Sequence, residues 1–313
     1  THAGPELGNA FADVISGKYS PAGRLAQTWY KSEYELAPIE CYDIIENDMT
    51  YLYYRGKPLY PFGYGLSYAK FEYSDFDVKE NGDVISVSLD VTNVSETDSD
   101  EVVQIYFRME NPSVKRPLRQ LVAFARERIE CGRTRHFEFD IKKSELRFYD
   151  VSRERFAVEQ GRYTFMAGAS SEDIRLTKTI DVSGEIIPPR ELCKGVKAKN
   201  YDGKYGTKMK YSKKLEQHYM LGGGLIYNNC VLGEADSIEI VCGSRVNTGK
   251  ITVRYGGETL CEAEVKPTVD VTEFETVTAQ FDKAVLAGID REKPAVFELW
   301  MPEQIYILGF RTY

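Results

Sequence analysis

The apolar positions along this chain change period as it proceeds. Near the start, Leu7, Ala10, Phe11, Val14 and Ile15 fall at i, i+3, i+4, i+7 and i+8, one stripe along a helix. Pro5 suits a first helical turn, and Gly17 a left-handed stop. Ser20-Pro21-Ala22-Gly23 reads as a turn and Leu25 to Tyr30 as a short strand. From about 70 to 185 the period becomes two. Ile85, Val87, Leu89 and Val91 alternate with polar residues, as does the run Arg135 to Ile141. Val102 to Phe107, Phe156 to Val158 and Tyr163 to Ala167 are further strands, punctuated by Asn81-Gly82, Cys131-Gly132 and Gln160-Gly161. Such spacing predicts an antiparallel β-sandwich.

After Ile186-Ile187-Pro188-Pro189-Arg190, a plausible linker, strands resume at Ser237–Cys242, Lys250–Tyr255, Thr259–Val265, Glu273–Phe281, Val296–Trp300 and Ile305–Thr312. Gly256-Gly257 is a hairpin turn between two of them. The expected fold is therefore mainly β, two β-sandwiches preceded by a helix–strand piece. A helix with a full apolar stripe must bury it, and one following strand is not enough. The opening residues thus read as the last helix and strand of an α/β layer whose remainder lies outside this chain. The alternative is a free N-terminal hairpin packed on a later domain.

Composition narrows the function. The net charge of −8 argues against a nucleic-acid partner. No apolar run approaches the roughly 18 residues of a membrane helix. The 22 tyrosines, against 2 tryptophans, fit β-sheet surfaces and sugar-facing clefts equally well. Cysteines 41, 131, 193, 230, 242 and 261 form no CxxC pair, and none of His2, His136 and His218 stands at zinc spacing from them, so no structural zinc is expected. An even count permits disulfides, but the scatter favours free thiols in a reducing compartment, and hence a cytoplasmic over a secreted setting. Any leader would lie upstream, which leaves the compartment open.

The string Gly4-x-Glu6-x-Gly8-Asn9-Ala10-x-Ala12-Asp13-Val14, then Pro21-Ala22-Gly23-Arg24-Leu25 and Thr28, resembles the end of the α/β sandwich domain of glycoside hydrolase family 3, the family of β-glucosidases and β-xylosidases. Ala26 stands where the family has Pro. Thr50 to Tyr54, with Lys57-Pro58-Leu59-Tyr60-Pro61-Phe62-Gly63-Tyr64-Gly65-Leu66-Ser67-Tyr68, resembles the family's linker into its next domain. Glu101 to Tyr106, Arg116 to Leu121, Gly161-Arg162-Tyr163 and Gly168 to Ser171 resemble the fibronectin type III-like domain that follows it. Ala198-Lys199-Asn200-Tyr201-Asp202-Gly203, Leu225 to Asn229, Ala235 to Ile240, Gly249 to Arg254 and Thr272 to Val277 resemble a family 6 carbohydrate-binding module, a jelly-roll, galactose-binding-like sandwich. The implied domains are 1–50, the α/β remnant; 51–69, the linker; 70–185, the fibronectin-like domain; and 186–313, the binding-module-like jelly roll.

The resemblance implies a retaining enzyme whose Asp nucleophile and acid/base carboxylate lie upstream of Thr1, in a barrel and an α/β domain that would be this chain's partners. No catalytic residue is assigned here, and the isolated chain is expected to hydrolyse nothing. A family 6 module grips a pyranose between two aromatic rings beside an Asn. Asp270-Val271 stands where the family has Gly-Trp, Tyr306 where it has Asn, and Tyr219 is the candidate for the remaining aromatic. Tyr219, Tyr306 and Asp270 are therefore the candidate contacts to a β-linked oligosaccharide. The family's calcium ligands are matched by Lys197, Lys199 and Leu308, which cannot hold a hard cation, so no metal and no cofactor are expected.

Other features read plainly. Glu96, Asp98, Asp100 and Glu101 look like solvated loop charge, and His136 like a strand residue. Lys194, Lys197, Lys199, Lys204, Lys208, Lys210, Lys213 and Lys214 read as a solvated face, or as contact with an acidic glycan or domain. Gly222-Gly223-Gly224 reads as a flexible cleft-rim loop, since nothing after it makes a phosphate loop. A non-catalytic glycan-binding protein and a purely structural support are the alternative functions.

Overall fold

The periodic stripe at the start does form a helix, α1 (Leu7–Ile15). Ser16 N–H closes it on Ala12 O, and Gly17 turns the chain at φ 77°. The computed structural model describes residues 4–39, 41–268 and 273–313. The chain divides into two units, 1–148 with 157–186 and 149–156 with 187–313. No residue of α1 is buried; Phe11 is 58% and Ile15 78% exposed. The strand expected at Leu25–Tyr30 is reduced to one bridge between Trp29 and Tyr60. Leu25 N–H donates to Tyr64 O and Trp29 N–H to Tyr60 O, at 2.8 and 2.9 Å. Pro61, between those acceptors, has no N–H to give, so the ladder stops.

The first unit's sandwich follows the alternation. Strands β1 (Phe71–Asn81), β2 (Val84–Asn93) and β5 (Thr134–Lys142) form a three-stranded sheet in the order β1-β2-β5. Strands β3 (Ser99–Met109), β4 (Gln120–Ile129), β8 (Gly161–Gly168) and β9 (Ile174–Val182) form a four-stranded sheet in the order β4-β3-β8-β9. Between β5 and β8 the short strands β6 (Phe148–Asp150) and β7 (Arg155–Ala157) pair with each other. Ile85, Val87, Leu89 and Val91 meet Val103, Ile105, Phe107 and Phe165 in one core.

Strand β3 is buried on both faces, which alternation alone does not require. Its inner face meets the core. Its outer face, Gln104 and Tyr106, lies under the linker. Tyr51, in the short helix α2 (Thr50–Tyr53), stacks on Phe62 at 4.1 Å and meets Tyr106 edge-on at 6.2 Å. Gln104 Nε2 donates to Gly63 O (3.2 Å) and Ala169 O (2.6 Å), while its Oε1 accepts from Tyr106 (2.6 Å). Gly63 sits at φ 81°, and a Cβ there would fall 2.0 Å from Gln104 Oε1. The Pro–aromatic–Gly string is thus the covering layer of a sheet.

Glu101 departs from its expected place in a solvated loop. Strand β3 begins at Ser99, and Glu101 is 2% exposed. Its Oε1 accepts from Arg24 and from Tyr73 Oη, both at 3.1 Å. The Arg24 side chain is 12% exposed, so this is a nearly dry ion pair.

The second unit holds β10 (Arg190–Glu191), β11 (Val196–Lys197), β12 (Gly203–Tyr205), β13 (Lys208–Ser212), β14 (Gln217–Val231), β15 (Ser237–Ser244), β16 (Gly249–Tyr255), β17 (Glu258–Val265), β18 (Glu275–Gln280), the helix α3 (Lys283–Gly288) and β19 (Ala295–Thr312). Two segments expected as separate strands are one strand here, β19. Its first half lies between β14 and β16 and its second half beside β15. The triple glycine is the middle of β14. Pairing runs Leu221↔Tyr306, then slips to Gly223↔Met301. Gly222 and Gly223 take φ of 62° and 73°, and a Cβ on Gly222 would lie 2.8 Å from Glu303 Cα. Only glycine bends the strand this way, so the motif is a corner and not a rim loop. Leu225, Phe297, Leu299 and Val253 from one side of the bend meet Ile238, Ile240, Ile307 and Phe310 from the other in a single core. All six cysteines are free, and burial pushes the thiols of Cys230 and Cys242 up to about 12.

Two outcomes follow. Glu101→Ala strands the Arg24 charge and should lower the unfolding free energy of the first unit by about 3–5 kcal/mol, read by urea denaturation; a loss within error would contradict the buried pair. Burial and the Glu101 carboxylate push the Tyr73 hydroxyl well above its ordinary value, and burial takes Tyr163 to about 12. Both raised values favour the neutral phenol in the folded state. That stabilisation is complete below the unfolded value near pH ~10 and is lost as pH rises toward the folded values. Tyrosinate absorbance should therefore show both residues ionising together with unfolding; ionisation at ordinary pH in a folded chain would contradict it.

Candidate functional site

Tyr219 and Tyr306 are brought together, as the candidate sugar contacts require, but in a different geometry. Their neighbours Met220, Ile305 and Ile307 point into the main core, so Tyr219, Leu221 and Tyr306 share the opposite face. The two rings lie 5.7 Å apart at 62°, edge to face. Phe274 closes the cluster, 5.9 Å from Tyr219 and 5.0 Å from Tyr306. Tyr306 is fully buried; its hydroxyl donates to Glu273 O at 2.9 Å and bonds Thr268 Oγ1 at 2.6 Å. As placed, the rings pack on one another and do not stand as two parallel plates. Asp270, the third candidate, lies outside the described residues.

Lys197 and Leu308 line one open hollow of 400 Å³ with Val241 and Thr276. Lys197 Nζ holds the Glu154 carboxylate at 2.8 Å, and the charge of Lys199 acts on the same carboxylate. Ammonium groups donate and cannot coordinate a cation. Among the described residues no group of three or more His, Cys, Asp or Glu is placed to hold a metal ion.

A carboxylate held in its neutral form is the signature of a glycosidase acid. Asp202 is raised by burial, with Arg190 opposing and Asp150 adding to the shift. Its Oδ2, however, accepts from Arg190 (3.2 Å) and Asn228 N–H (2.7 Å), while Asp150 is held by Ser152 and Arg153. Neither aspartate lines the neighbouring 330 Å³ hollow beside Arg153, Glu154 and Lys194. The pair braces structure. His136 sits exposed on β5 between Asp90 and Glu138; the hydrogen bond that its protonated ring donates to Asp90 raises it.

One arrangement in the second unit carries no signal in the sequence. Directly paired residues of antiparallel strands share a face. Tyr205 pairs Gly224, Gly224 pairs Trp300, Trp300 pairs Thr252 and Thr252 pairs Glu262. The row crosses five strands, and its neighbours Leu225, Leu299 and Val253 are the ones in the core. Two residues along the same strands, Ile226, Glu298 and Arg254 make the next row. Gly224 has no side chain, and the Trp300 ring occupies that space; a Cβ there would lie 2.7 Å from Cζ3. Tyr205 and Trp300 are parallel to within 12°, with centroids 5.7 Å apart. No sequence spacing links Tyr205 to Trp300; only the pairing of β12, β14 and β19 does.

Residues 1–68 match the glycosyl hydrolase family 3 C-terminal domain, and residues 101–171 the fibronectin type III-like domain. Thermostable beta-glucosidase B of Acetivibrio thermocellus is 35% identical over 200 residues, 58% of this chain and 26% of that protein. The xylan 1,4-beta-xylosidase of Xylanibacter ruminicola is 35% identical over 180 residues, 56% of this chain and 20% of that protein. The crystal structure of beta-D-glucoside glucohydrolase from Trichoderma reesei is similar at a TM-score of 0.54 and 29% identity, over 57% of this chain and 29% of that one. This chain thus spans about a quarter of the length of the curated relatives it matches. It aligns, through the family 3 C-terminal domain and the fibronectin type III-like domain, with the C-terminal region of β-glucosidases and β-xylosidases, the part of those enzymes without the catalytic residues.

Proposed function

We propose that this chain is the accessory C-terminal region of a retaining β-glycosidase that releases β-linked glucose or xylose from plant oligosaccharides, and that it is inactive by itself. The observation that carries this reading is α1. Its apolar stripe, in the segment that matches the family 3 C-terminal domain, has no buried residue, and Phe11 and Ile15 stand open among the described residues. A nine-residue helix is marginal in water without packing, so a further layer of that domain belongs against it. The fibronectin-like sandwich and its linker hold this layer's end in place through Arg24–Glu101.

The second unit is read as a carbohydrate-binding-module-like sandwich without calcium. A glycan-holding role for it is a separate reading, favoured by the outer face of its sheet.

The pure chain should show no turnover of p-nitrophenyl β-glucoside or β-xyloside, and activity should appear when the coding sequence is extended upstream through a barrel domain. Measurable hydrolysis by the pure chain would sink the reading. For the second unit, calcium and a chelator should leave the unfolding temperature unchanged, because Lys197 and Leu308 offer no hard oxygen; a rise of more than about 2 °C with calcium would mean that the folded state binds it.

A further inference from the structure

We propose that the outer face of the sheet β12–β14–β19–β16–β17 is a binding platform for a neutral β-linked oligosaccharide, with Tyr205 backed by Trp300 as its stacking plate. Tyr205 is 60% exposed although it carries a large apolar ring. Its ring is parallel to the indole beneath, which holds it without a costly loss of rotamer freedom on binding. Trp300 Nε1 is out of contact with solvent and has no hydrogen-bond partner among the described residues, so what this side chain shows to solvent is carbon. The CH face of a pyranose needs such a plate.

Its hydroxyls need paired donors and acceptors beside the plate. Thr252 lies in the same row and Glu262 beyond it, while Arg254 and Glu298 stand 3.8 Å apart in the next row. Rows of one face are about 7 Å apart, within reach of one sugar unit. Donor and acceptor balance there, which suits a neutral glycan. A row of side chains that crosses five strands suits a chain of sugars more than a single terminal one. Tyr219 and Tyr306 take no part, since they pack on each other beyond the bend at Gly222-Gly223. The platform deepens the glycan-holding reading of the second unit and is independent of hydrolysis.

Trp29 is the only other tryptophan, so a Trp29→Phe chain reports Trp300 alone. Titration with cellohexaose and with xylohexaose should give a saturable change in its emission with at least one of them. Tyr205→Ala and Tyr205→Leu should each weaken that binding by about ten-fold, the second keeping apolar bulk without the π face. Tyr211→Ala removes another exposed tyrosine of the same unit and should leave binding unchanged. Absence of saturable binding to both glycans, or a folded Tyr205→Leu chain that binds as tightly as its parent, would overturn the platform. Neither result bears on the catalytic-support reading, which hydrolysis by the extended chain tests separately.

Discussion

Every sheet in this protein is governed by one constraint: an apolar face has to be covered. The fibronectin-like sandwich obeys it twice over. Its inner faces cover each other, and the outer side of β3 is covered by the linker through Tyr51, Phe62 and the Gln104 bonds to Gly63 and Ala169. Gln104 matters because it is a polar side chain at a covered position. Its nitrogen donates to two carbonyls and its oxygen accepts from one phenol, so burying it carries little desolvation penalty. The same constraint makes α1 informative. Its stripe has no buried residue, and the proposed further layer rests on that.

Much of the fold was legible because period two is a local signal. Strands β2 and β5 fall where alternation put them, β3, β8 and β16 fall where further strands are expected, and the turn at Gly256-Gly257 has both residues at positive φ. The misses share a cause: they depend on partners far along the chain. Leu25–Tyr30 has the right residues for a strand, but its neighbour carries Pro61. The triple glycine of β14 looks like a loop until Glu303 is placed against it. Glu101 looks like one of several loop acids until Arg24, remote in sequence, arrives beside it.

The candidate site was less legible than the fold. Tyr219 and Tyr306 are candidates by likeness to a module and do meet in space, yet packing turns them edge to face. Tyr205 and Trp300 carry no motif. They meet because Gly224 stands between them in the row and leaves its place empty. Such a pair is visible only once register is known, since a slip of one residue would send both rings to the other face.

The bend that carries β14 and β19 across the second unit bears on how that unit acquires its shape. Both sides of its core wait on the same 18-residue strand, and that strand's partner in β14 lies far back in the chain. Neither half has its central member until this distant pairing is made. The unit should therefore form in one slow, cooperative event set by loop closure, with no half-built sandwich as a resting place.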